Sequence, residues 1–586
     1  MTRLLPVAIL LLGFSLNMSY AQETPLKLNK SHEESLTLGE QHYYTIKAPA
    51  EKFIVAKVMQ KGIDLVVNLY DPQGEQVGTF DSPNFQNGPE FVTFESDEAG
   101  VYKLEVIGLE ENQDPGHSGD YSVELMRIDR IPTTPAERID QLFIPWDLKG
   151  SPGASVAVMK KGKVVFSKGY GEAQLEYGIP IEPKTIFHIA SVSKQFTAFC
   201  MAKLADDGKL SLDDPIQKHI PEIQDFGKEI TIKHLIHHTS GMRDQWNLLA
   251  MAGWRLDDVI TKDQVMRLMS RQTALNFDPG AEYLYCNSGY TLMAEIVERV
   301  TDMPFDEWTA KNIFEPLGME NTLFYTDHEK IVPNRSYSYG EGPEGFQKSV
   351  LSYANAGATS LFTTPEDLLQ WAHNFSNPRV GNAMIMDQMH EQGVLTNGDT
   401  ISYAFGQVIG EWRGLKTISH GGADAGYRTQ LLRFPEQEVN IVVFSNLGSF
   451  NPGGKAYEIA EIYLDEYLEE EPESGALEST AEEETEDGVA VSQDLLDEYT
   501  GEYQLAPGFI ITVSNEDGNL LAQATGQGQF QMTPTSEVEF TFAQAGIRIV
   551  FERGDNKKVN QFTLYQGGQE MVCKRLGTFD EESIDL

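Results

Sequence analysis

Ser191-Val192-Ser193-Lys194 is the only place in this chain where a lysine follows a serine by three residues. Read as a helix start, the spacing puts a hydroxyl and an amine one turn apart on the same face. A serine hydroxyl is a poor nucleophile at neutral pH and needs a base within hydrogen-bond reach. A lysine supplies that base once burial or nearby positive charge lowers its pKa. Working outward, Phe196, Phe199, Cys200 and Leu204 recur at helical spacing, and Asp207-Gly208 gives a stop. Ile189-Ala190 runs straight into the motif, which predicts a helix end buried against other structure. Free N–H groups at such an end favour negative charge. The competing reading makes Ser191 a helix cap and nothing more.

Two later segments bear on that choice. Tyr285-Cys286-Asn287 lies in the stretch from Asp278 to Tyr290. In an extended loop Tyr285 and Asn287 face the same side, so a phenol and a carboxamide stand together. Ser419-His420-Gly421-Gly422-Ala423-Asp424-Ala425-Gly426 leads into a strand pair, and its glycines would let a substrate backbone approach closely.

Taken in order, the three segments resemble the serine β-lactamase and penicillin-recognising fold, specifically its class C branch. That branch also holds D-peptidases, D-aminopeptidases and esterases. Its motifs, Ser-x-x-Lys, Tyr-x-Asn and Lys-Thr-Gly or His-x-Gly, fall here at Ser191/Lys194, Tyr285/Asn287 and His420/Gly421/Gly422. His238-Thr239-Ser240-Gly241, Phe314 to Met319 and Ala356 to Ser360 resemble the family too, and the likeness runs from about Pro145 to Tyr467. The resemblance implies that Ser191 forms an acyl-enzyme while Lys194 and Tyr285 together manage its proton, their titrations linked. It implies that Asn287 bonds the substrate amide or Lys194. The oxyanion hole is expected from the backbone N–H groups of Ser191 and Ala423, beside Gly421 and Gly422. Neither metal nor organic cofactor is implied. The substrate is a small molecule or peptide.

His420 departs from β-lactamases proper, which place a lysine there to meet a substrate carboxylate. A histidine is largely neutral above about 6.5 and donates a single hydrogen bond. That favours an esterase or D-amino-acid peptidase over a β-lactamase, and it predicts a pH-dependent substrate preference. A penicillin-binding sensor that does not turn over is the reading from another class.

The flanks of the motifs give the fold class. Ser155 to Met159 and Lys163 to Phe166 read as a hairpin around Lys161-Gly162, and Gln430 to Phe434 and Asn440 to Phe444 as another around Pro435. A helix with Ile459, Ala460, Tyr463, Leu464 and Tyr467 on its apolar side follows. Strand pairs at both ends with helices between predict an α+β core over residues 135–468, one antiparallel sheet with helices packed on it.

Residues 28–128 read as a β-sandwich, similar to the pre-peptidase accessory domains of secreted hydrolases. Residues 469–492 form an acidic linker expected to be disordered, and residues 495–577 a small β-barrel or curled sheet. Residues 1–21 look like a cleaved signal peptide, predicting a secreted or periplasmic protein with no membrane span after cleavage. The formal net charge of −43 argues against nucleic-acid binding. Three scattered cysteines give no disulfide framework and no zinc spacing. Oligomeric state stays open.

Rival motifs are weaker. Tyr353-Ala354-Asn355 repeats Tyr-x-Asn in different surroundings, and His117-Ser118-Gly119 mimics the third motif ahead of Ser191. His234, His237 and His238 lack an acidic partner at metalloprotease spacing. No Gly-x-Ser-x-Gly elbow occurs.

Overall fold

The computed structural model describes residues 23–576 apart from 82–85, 110–115, 343–344, 470–490 and the short C-terminal stretches 507–508, 517, 525–528, 537, 543–546, 554–557 and 567–568. The signal-peptide expectation and nearly all of the acidic linker lie outside the described residues. The fold class is the expected one: an α+β core with β domains on either side in sequence.

The core is built on a six-stranded antiparallel sheet. Its strand order is Lys163–Tyr170, Ala154–Lys160, Val439–Ser445, Tyr427–Phe434, Leu415–Asp424 and Val408–Trp412. The pairing of Ala154–Lys160 with Val439–Ser445, from Ala154 opposite Ser445 to Lys160 opposite Val439, joins the two hairpins read from the sequence. Alternation along these strands sorts their side chains onto two faces. Val156, Val158, Ile441 and Val443 turn to one apolar cluster with Ala456, Ile459, Ala460 and Leu464 of the helix Pro452–Leu464. Tyr467, expected on that helix, falls instead in a following 3₁₀ turn and is exposed. Ala157, Met159, Val442 and Phe444 turn to the other cluster, shared with the helices Lys194–Asp206, Asn287–Thr301 and Pro365–Asn374. A helix buried on every side must be apolar all round. The run Phe196 to Ala202 meets that demand apart from Thr197, whose hydroxyl donates to the Gly357 carbonyl at 2.7 Å, and Lys194 sits at its N-terminal end with no exposed surface.

The N-terminal unit is two antiparallel-dominated sheets of five and four strands that share one core, including Leu36, Ile46, Val58, Val67, Leu104 and Val123. Tyr44 and Tyr121 join hydroxyls within that core at 2.6 Å. At the C-terminus eight strands, from Gly501–Ala506 to Gln569–Arg575, close into a barrel. Tyr503 and Gln504 of the first strand pair with Arg575 and Lys574 of the last, which resolves the choice between barrel and curled sheet. All three cysteines are buried. Among the described residues no helix is long and apolar enough to cross a membrane.

Candidate active site

Ser191 does not open an α-helix. Ala190–Ser193 is a 3₁₀ turn, and the α-helix starts at Lys194. Ala190 takes a left-handed backbone (φ 46°), unusual for a residue with a Cβ. Ser193 rather than Ser191 ties the turn down: its hydroxyl donates to the Ala190 carbonyl at 2.5 Å and accepts the Leu361 N–H at 3.2 Å. The Ser191 hydroxyl caps neither helical segment. The capping reading of that residue is therefore wrong.

What the hydroxyl meets instead is Lys194, whose Nζ lies 3.1 Å from Ser191 Oγ. The same amine reaches Asn287 Oδ1 at 2.8 Å and the Ala358 carbonyl at 2.8 Å. Its Nζ stands 4.8 Å from the Tyr285 ring centre and 5.6 Å from that of Tyr290. Burial pushes the Lys194 pKa down from the ordinary lysine range, against the upward pull of Asp424, Asp244 and Cys286.

The orientation of Asn287 follows from its other neighbour. Its Nδ2 and its backbone N–H both donate to Asp244 Oδ2, at 2.9 and 2.6 Å. A carboxylate only accepts, so Nδ2 faces Asp244 and Oδ1 is left for Lys194. Asp244 Oδ1 meanwhile accepts the Trp246 N–H at 2.8 Å, capping the helix Gln245–Met251. A neutral lysine amine has two hydrogens and one lone pair. Ala358 and Asn287 are obligate acceptors that take both hydrogens, which leaves the lone pair for the Ser191 O–H.

Tyr285 lies beside the Ser191 side chain, and burial raises its pKa well above the usual phenol. Its ring stacks on His238, with centroids 4.2 Å apart, and His238 Nδ1 accepts the Cys286 N–H at 3.0 Å. Tyr285 and Asn287 do reach the same side. The reason differs from the extended loop expected: Asn287 is already the first residue of the helix Asn287–Thr301.

His420 stands one residue further out, its ring centre 6.4 Å from that of Tyr285. His420 Nδ1 lies 2.6 Å from the Gly421 carbonyl, so it carries the proton and donates. Nε2, 3.0 Å from the Tyr403 hydroxyl, accepts from it. Burial and the nearby Lys194 push the His420 pKa down to about 4. Two expectations change as a result. The ring has no spare N–H for a substrate, and its titration lies below the range in which a pH-dependent preference was expected.

Gly422 explains how this strand meets the serine turn. A Cβ there would come within 2.4 Å of the Ile189 carbonyl and 3.1 Å of Ala190 Cβ. The Thr429 hydroxyl, opposite Gly422 in the sheet, donates to that same Ile189 carbonyl at 3.0 Å. Gly421 and Ala423 flank the contact, with Ala423 bordering an open cavity beside Asp424.

The rival motifs go elsewhere. Asn355 donates to Thr291 at 3.2 Å, and Tyr353 stacks on Trp246. His234 belongs to the capping box at Thr231, and His237 bonds the carbonyls of Lys233 and Glu391. Sequence reasoning missed Asp244, Ala358, Tyr403 and Asp424. Only Asp244, as a helix-capping aspartate, and Asp424, on the His420 face of its strand, left a local signal.

A family profile described as Beta-lactamase matches residues 143–464, more than half of the chain. The chain belongs to the beta-lactamase family. Residues 486–575 match a domain of unknown function, DUF3471. Among relatives of this beta-lactamase-family chain is "Penicillin-binding protein 4*" of Bacillus subtilis (strain 168), 25% identical over 457 residues, 75% of this chain and 98% of the relative. A D-aminopeptidase of Gluconobacter oxydans (strain 621H) is 27% identical over 296 residues, 50% of this chain and 56% of that protein. The chain thus spans little more than half the length of that relative. Among solved structures, the octameric penicillin-binding protein homologue from Pyrococcus abyssi shares the fold, with a TM-score of 0.51 and 22% identity, covering 75% of this chain and 98% of that one.

Proposed function

We propose that this β-lactamase-fold hydrolase works through an acyl-enzyme on Ser191, cleaving small esters or amides of D-amino acids. The observation that carries the reading is the Lys194 amine, buried, with two of its three contacts fixed as acceptors and the third to Ser191 Oγ. As Ser191 Oγ attacks the substrate carbonyl, Lys194 takes the serine proton. Tyr285, kept protonated by burial, passes a proton to the departing amine or alcohol. The backbone N–H groups of Ser191 and Ala423 face the developing oxyanion, and fixed donors of this kind give much of the rate enhancement in acyl transfer. Water then adds to the acyl carbon, gives its proton back through the same pair, and releases Ser191.

The neutral His420 supports this reading over a β-lactamase proper, because it offers no fixed positive charge to a substrate carboxylate. D-aminopeptidases among the relatives support the D-amino-acid class. The N-terminal apolar run supports export, so the working enzyme is taken as secreted or periplasmic, and N-terminal sequencing of the exported protein tests this. The main experiment is a panel on the purified protein: p-nitrophenyl esters, a chromogenic cephalosporin, D-alanyl peptides and D-amino-acid amides. Ser191→Ala is expected to lower kcat at least about 10³-fold on every active substrate. Turnover surviving that substitution would falsify the mechanism, and a cephalosporin outpacing the esters and amides would overturn the substrate class.

A further inference from the structure

Along the strand that carries His420, a second polar side chain stands on the same face and takes no part in the steps above. Alternation puts residues 420, 422 and 424 together. Lys194 acts electrostatically on both His420 and Asp424. At ~3.4 Å per residue these side chains start about 14 Å apart, on either side of bare Gly422. The groove is therefore asymmetric. One end holds a neutral imidazole with both nitrogens engaged, and the other holds a carboxylate.

Asp424 is held in place with one oxygen free. The Thr359 hydroxyl donates to Oδ2. His188 Nδ1 accepts the Ala190 N–H at 3.1 Å, so its Nε2 carries the proton and donates to Thr359 Oγ1 at 3.3 Å. This ladder runs in a single direction toward the carboxylate. Among the described residues Oδ1 accepts no hydrogen bond. The one histidine within ion-pair distance, His188 at 3.9 Å, is kept neutral by burial, its pKa pushed down to about 3. Arg428 lines the cavity beside Asp424 and, like Lys194, pulls the carboxyl's pKa down electrostatically, while its Nη1 donates to the carbonyls of Ala425 and Tyr427. Asp424 lines this cavity of about 590 Å³ together with Trp246, Tyr353 and Ala423, and the cations Lys348 and Arg428 share the lining with a second carboxylate, Asp257. Burial resists the charge on this carboxylate, and a cation entering the cavity would offset that resistance.

The direction of binding follows from the third motif. A peptide's terminal carboxylate belongs to the residue that departs, so the position of His420 faces the leaving half and Asp424 the acyl half. We propose that Asp424 Oδ1 binds a free primary ammonium on the acyl half of the substrate, with Trp246 and Tyr353 walling the cavity that takes the acyl side chain. The inference rests on the Ser191 reading and narrows it to unblocked D-aminoacyl amides and esters.

The test compares D-alanine p-nitroanilide with N-acetyl-D-alanine p-nitroanilide on the full-length protein. The wild type should favour the free amine in kcat/KM by roughly 10- to 100-fold, as expected for a charged hydrogen bond. In Asp424→Asn that ratio should fall at least tenfold, mainly through KM. Equal turnover of the two anilides by the wild type, or a ratio unchanged in the variant, overturns the proposal. Should the variant not fold, D-alanine amide must still inhibit the wild type more strongly than its N-acetyl form, and the reverse order also overturns it. The two readings separate cleanly. Ser191-dependent turnover of both anilides without preference defeats the ammonium site alone, whereas no Ser191-dependent turnover of these or of p-nitrophenyl acetate defeats the nucleophile as well.

Discussion

Asp244 never touches Ser191, yet it fixes which atom Asn287 shows to Lys194. Its negative charge also holds the lysine pKa up. Replacing it with asparagine removes that charge and leaves the amide orientation free to reverse. Asp244→Asn should cost about 10- to 100-fold in kcat and move the acid limb of the pH–rate profile to lower pH, because Lys194 then loses its proton more readily. An unmoved acid limb would count against Lys194 as the base. His420→Lys places a new cation near Lys194, so the same limb should again move down, and anionic substrates should gain on neutral ones. With the native His420 titrating only near 4, the ranking of anionic and neutral substrates should stay flat from about pH 5.5 to 8.5 in Asp424→Asn, which removes the other titrating group of the groove, a carboxyl raised to about 6. A crossover inside that range would show that the ring protonates there. The four residues Ser191, Lys194, Tyr285 and Asn287 were legible because their chemistry travels with short fixed spacings. Asp244 left only the signal of a helix cap, because its role depends on a contact to Asn287 that no local pattern announces. His420 was legible as a departure from lysine, but its neutrality and its engaged nitrogens come from Tyr403 and from burial.

At the level of elements, the site is an encounter between a 3₁₀ turn and a sheet strand. Gly422 lets them meet, since any Cβ would strike the Ile189 carbonyl. Gly422→Ala should push the strand from the turn by a fraction of an ångström to an ångström, lowering kcat by about 10²-fold. A far smaller loss in thermal stability than in rate is expected, and wild-type turnover in this variant would show that the contact is not needed. The two hairpins of the core were readable from alternation and turn residues. The helix Asn287–Thr301 was hidden behind the loop-like run of Gly, Tyr and Asn that precedes it. The start of the serine helix was read one turn too early, because helical periodicity cannot distinguish a 3₁₀ turn from the first turn of an α-helix. In the flanking β regions the more polar strands, such as Ser31–Thr37 and Gln529–Pro534, lack an apolar alternation to betray them.

Over the whole molecule, several buried histidines link stability to acidity. Burial pushes His188 and His390 down to about 3 and His420 to about 4. In the unfolded chain each ring takes a proton near its ordinary 6.5. Between those limits the unfolded state binds more protons, so their stabilisation is complete above about 6.5 and is lost as the pH falls toward 4 and 3. Thermal melts should show Tm dropping steadily from pH 7 to 4.5, and a constant Tm would mean that these rings are not buried neutral. The central sheet also sets a timetable. Its strand at residues 154–160 is completed only by residues 439–445. Some 280 residues must therefore be synthesised before that edge is covered, a long closure that slows folding and leaves a β-edge open meanwhile. Gly422 and its strand arrive in the same late stretch. A nascent or truncated chain ending before them would carry Ser191 and Lys194 without the strand they work against, so hydrolysis begins only after the late strands of the central sheet are made.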